Sequence, residues 1–132
     1  MMQNMTDKYP GARITSFGDT AELMDTLAGL VVSGEKTATC SSYSSWLSEP
    51  VHPGEYFIVV NSRQQPVCVI QTRVLRYLRF CDVSEELAAL EGEDDKTLTS
   101  WRSGHEAFFT REGTFSPEMA LMFEEFILVE RL

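Results

Sequence analysis

Lys36, Thr37, Thr39 and Ser41 crowd one short stretch, Gly34-Glu35-Lys36-Thr37-Ala38-Thr39-Cys40-Ser41, where an amphipathic helix gives way to a strand. Such a junction exposes side chains at the rim of a fold, where ligands reach them. Lys36 could hold an anion or, if desolvated, serve as a base. Thr37, Thr39 or Ser41 could be hydrogen-bond partners or nucleophiles. The plainer reading of the same residues is a solvated lysine beside a β-prone Thr/Ala/Thr strand. A hydroxyl attacks a carbonyl when a base takes its proton, and lysine is that base when burial or nearby cations lower its pKa. A nearby carboxylate would act the other way, holding lysine charged. Geometry adds a condition: on a regular strand, residues three apart face opposite sides. Lys36 and Thr39 therefore converge if Lys36 sits in the turn, ahead of the pleat.

Other groups could join them. His105 lies on an apolar helix face with Trp101 and Phe108, which suits a hydrogen-bonded core or rim histidine. Facing a cleft, its near-neutral pKa would suit acid–base work. His52 stands alone between two prolines as a loop residue. The histidines lack zinc-pair spacing, so no metal ligand set and no cofactor is expected. A divalent cation at Asp94 and Asp95 is left open, although an acidic helix start explains both. Tyr43, Trp46 and Tyr56 could stack on a base, and Trp46 equally fits as the plug of a small barrel.

The elements that must position these groups follow from periodicity. Residues 1–16 read as a lead-in and 17–132 as a single domain. Asp19 and Glu22 form a capping-box pattern before Leu23, Leu27, Leu30 and Val31, and Gly34 ends that helix. A strand at about 37–40 leads into a Ser/Tyr/Trp loop at 41–50. Tyr56 to Val60 and Val67 to Leu78 make a hairpin about the turn 61–66. Ser84 starts a short helix that ends near Glu91-Gly92. Leu98, Trp101, His105 and Phe108 mark one face of another helix, and Phe123 to Val129 a terminal strand. Helices at 19–33, 84–91 and 96–110 beside few, long strands define an α+β fold: a curled, mostly antiparallel β-barrel flanked by about three helices.

Composition bounds the function. A chain of 132 residues, 43% hydrophobic and 23% charged, is ordinary for one globular domain. It shows neither a membrane-length apolar run nor the apolar core of a secretory signal, so no membrane partner is expected. Cys40, Cys68 and Cys81 are an odd set without CxxC spacing, read as small buried hydrophobes in a reducing cytoplasm. With 20 acidic residues against 11 basic ones and a net charge of −9, a large phosphate footprint is excluded, and with it duplex DNA. Arg73, Arg76 and Arg79 form a local basic run. It leaves room for a nucleotide or a short single strand.

Gly34-Glu35-Lys36 followed by Thr37-Ala38-Thr39, then Pro66-Val67-Cys68-Val69-Ile70, then Glu91-Gly92-Glu93-Asp94-Asp95 ahead of Leu98, Trp101, His105 and Phe108-Phe109, resembles the ASCH domain family, in particular its longer bacterial members. The likeness covers about residues 17–132. It implies a PUA-like barrel, related to modules that bind RNA or modified bases. The family includes longer members with ribonuclease activity and small amidohydrolases that remove acetyl from N(4)-acetylcytidine. The amidohydrolase groups are a lysine, a threonine three positions later and a glutamate before the following helix, which fall here on Lys36, Thr39 and Glu91. The family signature Gly-x-Lys-x-x-x-x-Arg is broken at its last position, where this chain has Ser41. Arg73 or Arg76 could supply the missing cation from a neighbouring strand. The resemblance implies an RNA- or nucleoside-binding hydrolase of ribonuclease type, with acetylcytidine amide hydrolysis and non-enzymatic RNA or modified-nucleotide reading as alternatives. Lys36, Thr39 and Glu91 are the catalytic candidates; Thr37, Ser41, Tyr43, Trp46, Tyr56, Arg73 and His105 are the substrate-binding candidates.

Overall fold

The computed structural model describes residue 5 and residues 7–132. Five strands form one sheet: β1 (Arg13–Thr15), β2 (Ala38–Ser42), β3 (Tyr56–Val60), β4 (Pro66–Arg79) and β5 (Ala120–Arg131), in the order β1-β3-β4-β5-β2. The α-helices given complete among the described residues are α1 (Ala21–Ser33), α2 (Tyr43–Ser48), α3 (Glu85–Leu90) and α4 (Leu98–Glu112). Every pairing is antiparallel except β1 with β3. The sheet curls into a half-barrel, as the α+β reading expects. Bulges promote the curl, because each extra residue bends its strand and increases local twist. The β4–β5 ladder shifts register between Val69 and Ile70 and again between Thr72 and Val74.

Local chemistry accounts for the helix ends. Gly34 stops α1 in the left-handed conformation (φ 87°), its amide bonded to Val31 O. The start of α1 departs from expectation: Thr20, one residue beyond Asp19, accepts the Leu23 amide. Asp19 is instead drawn away by Arg111 Nε at 2.8 Å. Ser84 and Thr97 cap α3 and α4 in the same manner. The expected loop at 41–50 is a strand end followed by a helix, because Ser42 caps α2 by accepting the Ser45 amide at 3.2 Å. The expected lead-in to residue 16 also contains structure, since Arg13, Ile14 and Thr15 pair with Phe57, Ile58 and Val59.

Two apolar clusters fill the curl. Ala28, Val31, Phe57, Val59, Ile70 and Phe126 pack beneath α1. Phe80, Val83, Ala88, Trp101, Phe109, Leu121 and Phe123 pack beneath α3 and α4. Burial of each such large side chain contributes about 1.5–3 kcal/mol. Cys68 is fully buried and Cys40 partly so, but Cys81 is exposed, because it falls in the short 3₁₀ turn after β4. No helix among the described residues is long and apolar enough to cross a membrane.

Candidate functional site

Between α1 and α4 lies a cavity of about 330 Å³ whose lining includes Lys36, Thr39 and Glu91. Lys36 sits in the turn between α1 and β2, ahead of the pleat, which is the condition for convergence with Thr39. Its side chain is 1% exposed. The three ammonium hydrogens are accounted for: Ala38 O at 2.9 Å, Glu91 Oε1 at 3.0 Å and Glu93 Oε2 at 3.0 Å. The Phe17 ring lies 5.6 Å from the same nitrogen. An unpaired ammonium at this depth would be neutral, and two carboxylates are what keep it charged.

Gly92 lets the two carboxylates reach it. It has φ +68°, and a Cβ there would stand 2.3 Å from Glu35 O. Bare backbone at this position allows the turn after α3 to press on the Glu35–Lys36 peptide, so Glu91 and Glu93 flank Lys36. The turn is stitched down by the Thr37 amide and hydroxyl, both donating to Leu90 O. Thr37 thus has a structural contact, and neither cavity described here includes it in its lining.

Glu91 is itself 1% exposed and joins three side chains, Lys36, Trp101 and His105. Its Oε2 accepts from Trp101 Nε1 at 2.7 Å and lies 3.2 Å from His105 Nε2. The other ring nitrogen, His105 Nδ1, is 2.9 Å from Trp101 O. Both imidazole nitrogens therefore face acceptors, an arrangement satisfied by the doubly protonated ring. The ionisation pattern agrees. Burial raises the Glu91 pKa, but Lys36 and His105 overcome it and hold the carboxyl well below the usual range. Burial pulls Lys36 and His105 down, and the carboxylates more than offset this, so both end above their ordinary values. Glu93 goes the other way: burial, aided by Glu91 and opposed by Lys36, raises it. The site is a proton-rich chain of His105, Glu91, Lys36 and Glu93.

Linkage gives a pH prediction. A raised histidine pKa contributes stability below its unfolded value of about 6.5, and that contribution is lost as pH rises through the folded value. The thermal midpoint should therefore fall as pH increases above neutral, and His105→Gln should flatten that part of the curve. Identical pH profiles for the two proteins would contradict the imidazolium assignment.

Cys40, Glu91 and His105 each offer a donor atom within 4.8 Å of the others, the spacing of a metal cluster. Protons explain the cluster equally well: burial and Glu91 raise the Cys40 thiol well above its ordinary range, and Glu91 is already engaged by Lys36, Trp101 and His105. Asp94 lines the cavity. Asp95 turns back to accept from the Thr97 amide and hydroxyl.

The other substrate-binding candidates are dispersed. His105 lines the first cavity. Ser41 lines a second cavity, of about 240 Å³, which shares Phe17, Thr39 and Cys40 with the first. Tyr43 stacks on Trp46 and meets Tyr77 edge-on, while Tyr56 pairs with Tyr9, so these rings lie outside both linings. Trp46 is half-buried against the first core cluster. Arg73 is the exposed residue of the β4 bulge, and Arg76 is exposed and paired with Glu125; neither replaces the cation missing at Ser41. The cation that shares a cavity lining with Ser41 is Arg13, from β1. Glu93 and Arg13 escaped the sequence reading. Glu93 could have been found from its place beside Gly92, whereas Arg13 carries no local signal.

A curled mixed sheet with helices against it and a buried lysine at the helix–strand turn defines the class of protein. The family model for the ASCH domain matches residues 13–130, so the chain belongs to the ASCH domain family, with its PUA-like fold. The solved ASCH domain from Lactobacillus crispatus is 31% identical, with TM-score 0.86 over 98% of this chain and 86% of that one. A protein from Enterococcus faecalis is 33% identical, with TM-score 0.84 and the same coverage. A third structure, of a hypothetical protein, shares the fold at 12% identity and TM-score 0.63. No curated protein matches the chain.

Proposed function

We propose that this protein binds a nucleoside and hydrolyses an amide on it, with an N(4)-acylated cytidine as the substrate class. The observation that carries this reading is the buried Lys36–Glu91 pair at 3.0 Å in a cavity that Thr39 also lines. A chain of ionisable groups with opposed shifts is what proton transfer at neutral pH requires. The cavity volume suits one nucleoside, and its apolar wall of Phe17, Leu23, Leu27 and Phe108 suits a ring or an acyl methyl.

Lys36 is protonated at rest, so it must first give a proton to Glu93, whose raised pKa makes it the better acceptor of the two glutamates. The neutral amine then takes the proton of the Thr39 hydroxyl as that oxygen attacks the acyl carbon. Lys36 passes this proton to the amide nitrogen as the C–N bond breaks and cytidine leaves. Water next adds to the threonine ester, releasing the carboxylic acid and restoring the hydroxyl, and Glu93 returns its proton to Lys36. Glu91 stays ionised throughout and holds Lys36 and His105 in place. The sum is amide plus water giving acid plus amine.

Phosphodiester cleavage fits the site less well. The Lys36 donors are already occupied and Arg111 is paired with Asp19, while Glu91, Glu93 and Asp94 would repel a phosphate. The test incubates purified protein with N(4)-acetylcytidine and with single-stranded RNA, with and without chelator, beside Lys36→Ala. Acetate and cytidine should appear with wild type regardless of chelator, and turnover should vanish in Lys36→Ala. RNA fragments without acetylcytidine turnover would assign the ribonuclease reaction instead. Binding of RNA without cleavage of either substrate would leave a reader.

A further inference from the structure

The second cavity has the marks of a recognition site rather than a packing gap. It is walled by the hydroxyl residues Thr39, Ser41 and Thr72 together with Arg13 and Glu124, over an apolar base that includes Phe57 and Phe126. One of its polar atoms is buried without a partner. Arg13 Nε is buried without a hydrogen-bond partner, although its Nη2 atom reaches Pro50 O at 2.8 Å and Glu55 at 3.2 Å. Among the described residues, no side-chain hydrogen bond reaches Glu124, Thr39, Ser41 or Thr72. A buried polar atom left without a partner costs free energy, so Arg13 Nε, set among side chains free to hydrogen-bond a ligand, marks the cavity as a place where a polar group can be taken up. Phe17 and Phe126 stack at 6.1 Å and supply a flat apolar surface.

Glu124 lies directly opposite Thr39 in the β2–β5 register, so the cavity opens onto the candidate nucleophile. We propose that this second cavity is the base-recognition subsite: Glu124 and Arg13 read the hydrogen-bonding edge of a pyrimidine, and Arg13 replaces, from another strand, the cation that the family signature places at Ser41. A carboxylic acid offers an acceptor beside a donor. That pattern matches the N4–H donor and N3 acceptor of cytosine, and a guanidinium beside it suits the O2 acceptor. Burial supports the neutral acid: it lifts the Glu124 carboxyl to about 7, with Arg13 opposing and Glu55 adding. A base seated here directs its exocyclic nitrogen towards the wall shared by the cavities, where Thr39 stands between Glu124 and the Lys36 pair. The placement of the scissile amide rests on the proposed hydrolysis, but the subsite itself does not.

The test measures binding of cytidine, the deacylated product, by calorimetry, so no turnover is needed. Wild type should bind it, and Glu124→Leu should weaken binding roughly ten- to hundredfold, the loss expected for one bidentate base contact. Glu124→Gln keeps an acceptor beside a donor and should bind as wild type does below neutral pH. Wild-type binding should weaken as pH rises through the Glu124 transition, whereas Glu124→Gln should not respond. The charged groups facing Glu124 are Arg13 from β1, Glu55 ahead of β3 and Glu49 after α2. Arg13→Met should also weaken binding, with thermal unfolding used to confirm the fold. Failure of wild type to bind cytidine, or equal binding by Glu124→Leu, overturns the subsite. Glu124-dependent binding in a protein that leaves N(4)-acetylcytidine intact would uphold the subsite and remove the hydrolase reading.

Discussion

Glu91→Ala is expected to destabilise the domain by about 3–5 kcal/mol, the cost of breaking a buried ion pair by removing one partner. The deletion strips Lys36 of one of its two carboxylates and leaves His105 and the Trp101 N–H without their common acceptor. Glu93 cannot compensate for all three, because its contact is with Lys36. Glu91→Gln should cost less, since an amide oxygen can still accept from Trp101, but it cannot hold two cations. Urea unfolding of the three proteins reads the difference. A loss below about 1 kcal/mol for Glu91→Ala, the range of surface pairs, would mean that the cluster is solvated and not the buried chain described.

Gly92→Ala should be comparably damaging, for steric reasons. The new Cβ would meet Glu35 O at 2.3 Å, and the neighbours in the way are backbone atoms that no rotamer change can move. Overpacking together with a positive φ predicts a loss of about 3 kcal/mol. Activity should suffer further, because the only relief is to lift the turn that carries Glu91 and Glu93 off Lys36. Gly113→Ala is the control: its φ is also positive (+85°), but nothing lies within 4 Å of the added carbon. It should cost about 1 kcal/mol and leave turnover intact. Equal losses at the two glycines would show that backbone conformation alone, and not close approach, governs Gly92.

Elements with a strong local period were legible in the sequence, and residues placed by distant strands were not. The stripe of Leu98, Trp101, His105 and Phe108 gave α4, and Gly34 gave the end of α1, because helical spacing and a left-handed cap are local properties. The hairpin was equally plain, with β3 and β4 joined across residues 61–65. The β1 strand was missed because three residues carry little periodicity and pair through a parallel ladder far along the chain. The 41–50 segment misled because its serines and aromatics suit a loop, yet one of those serines is a helix cap. Lys36, Thr39 and Glu91 were brought together by family likeness, not by spacing. Nothing local marks Glu124, an acid on a mostly apolar strand, or Arg13, an arginine ahead of the first helix. Their meeting depends on the sheet order, which a single sequence does not spell out.

Thr39 stands at the wall between the two cavities, and its proposed role is to attack the acyl carbon while Lys36 takes its proton. Thr39→Val tests it most directly, because it removes one hydroxyl, keeps the shape and the β-branched fit to the strand, and leaves the Lys36–Glu91–Glu93 network untouched. Steady-state hydrolysis of N(4)-acetylcytidine should fall by roughly a thousandfold or more in kcat, with the unfolding midpoint unchanged. Wild-type turnover in Thr39→Val, or no turnover in the wild-type protein itself, would contradict the account.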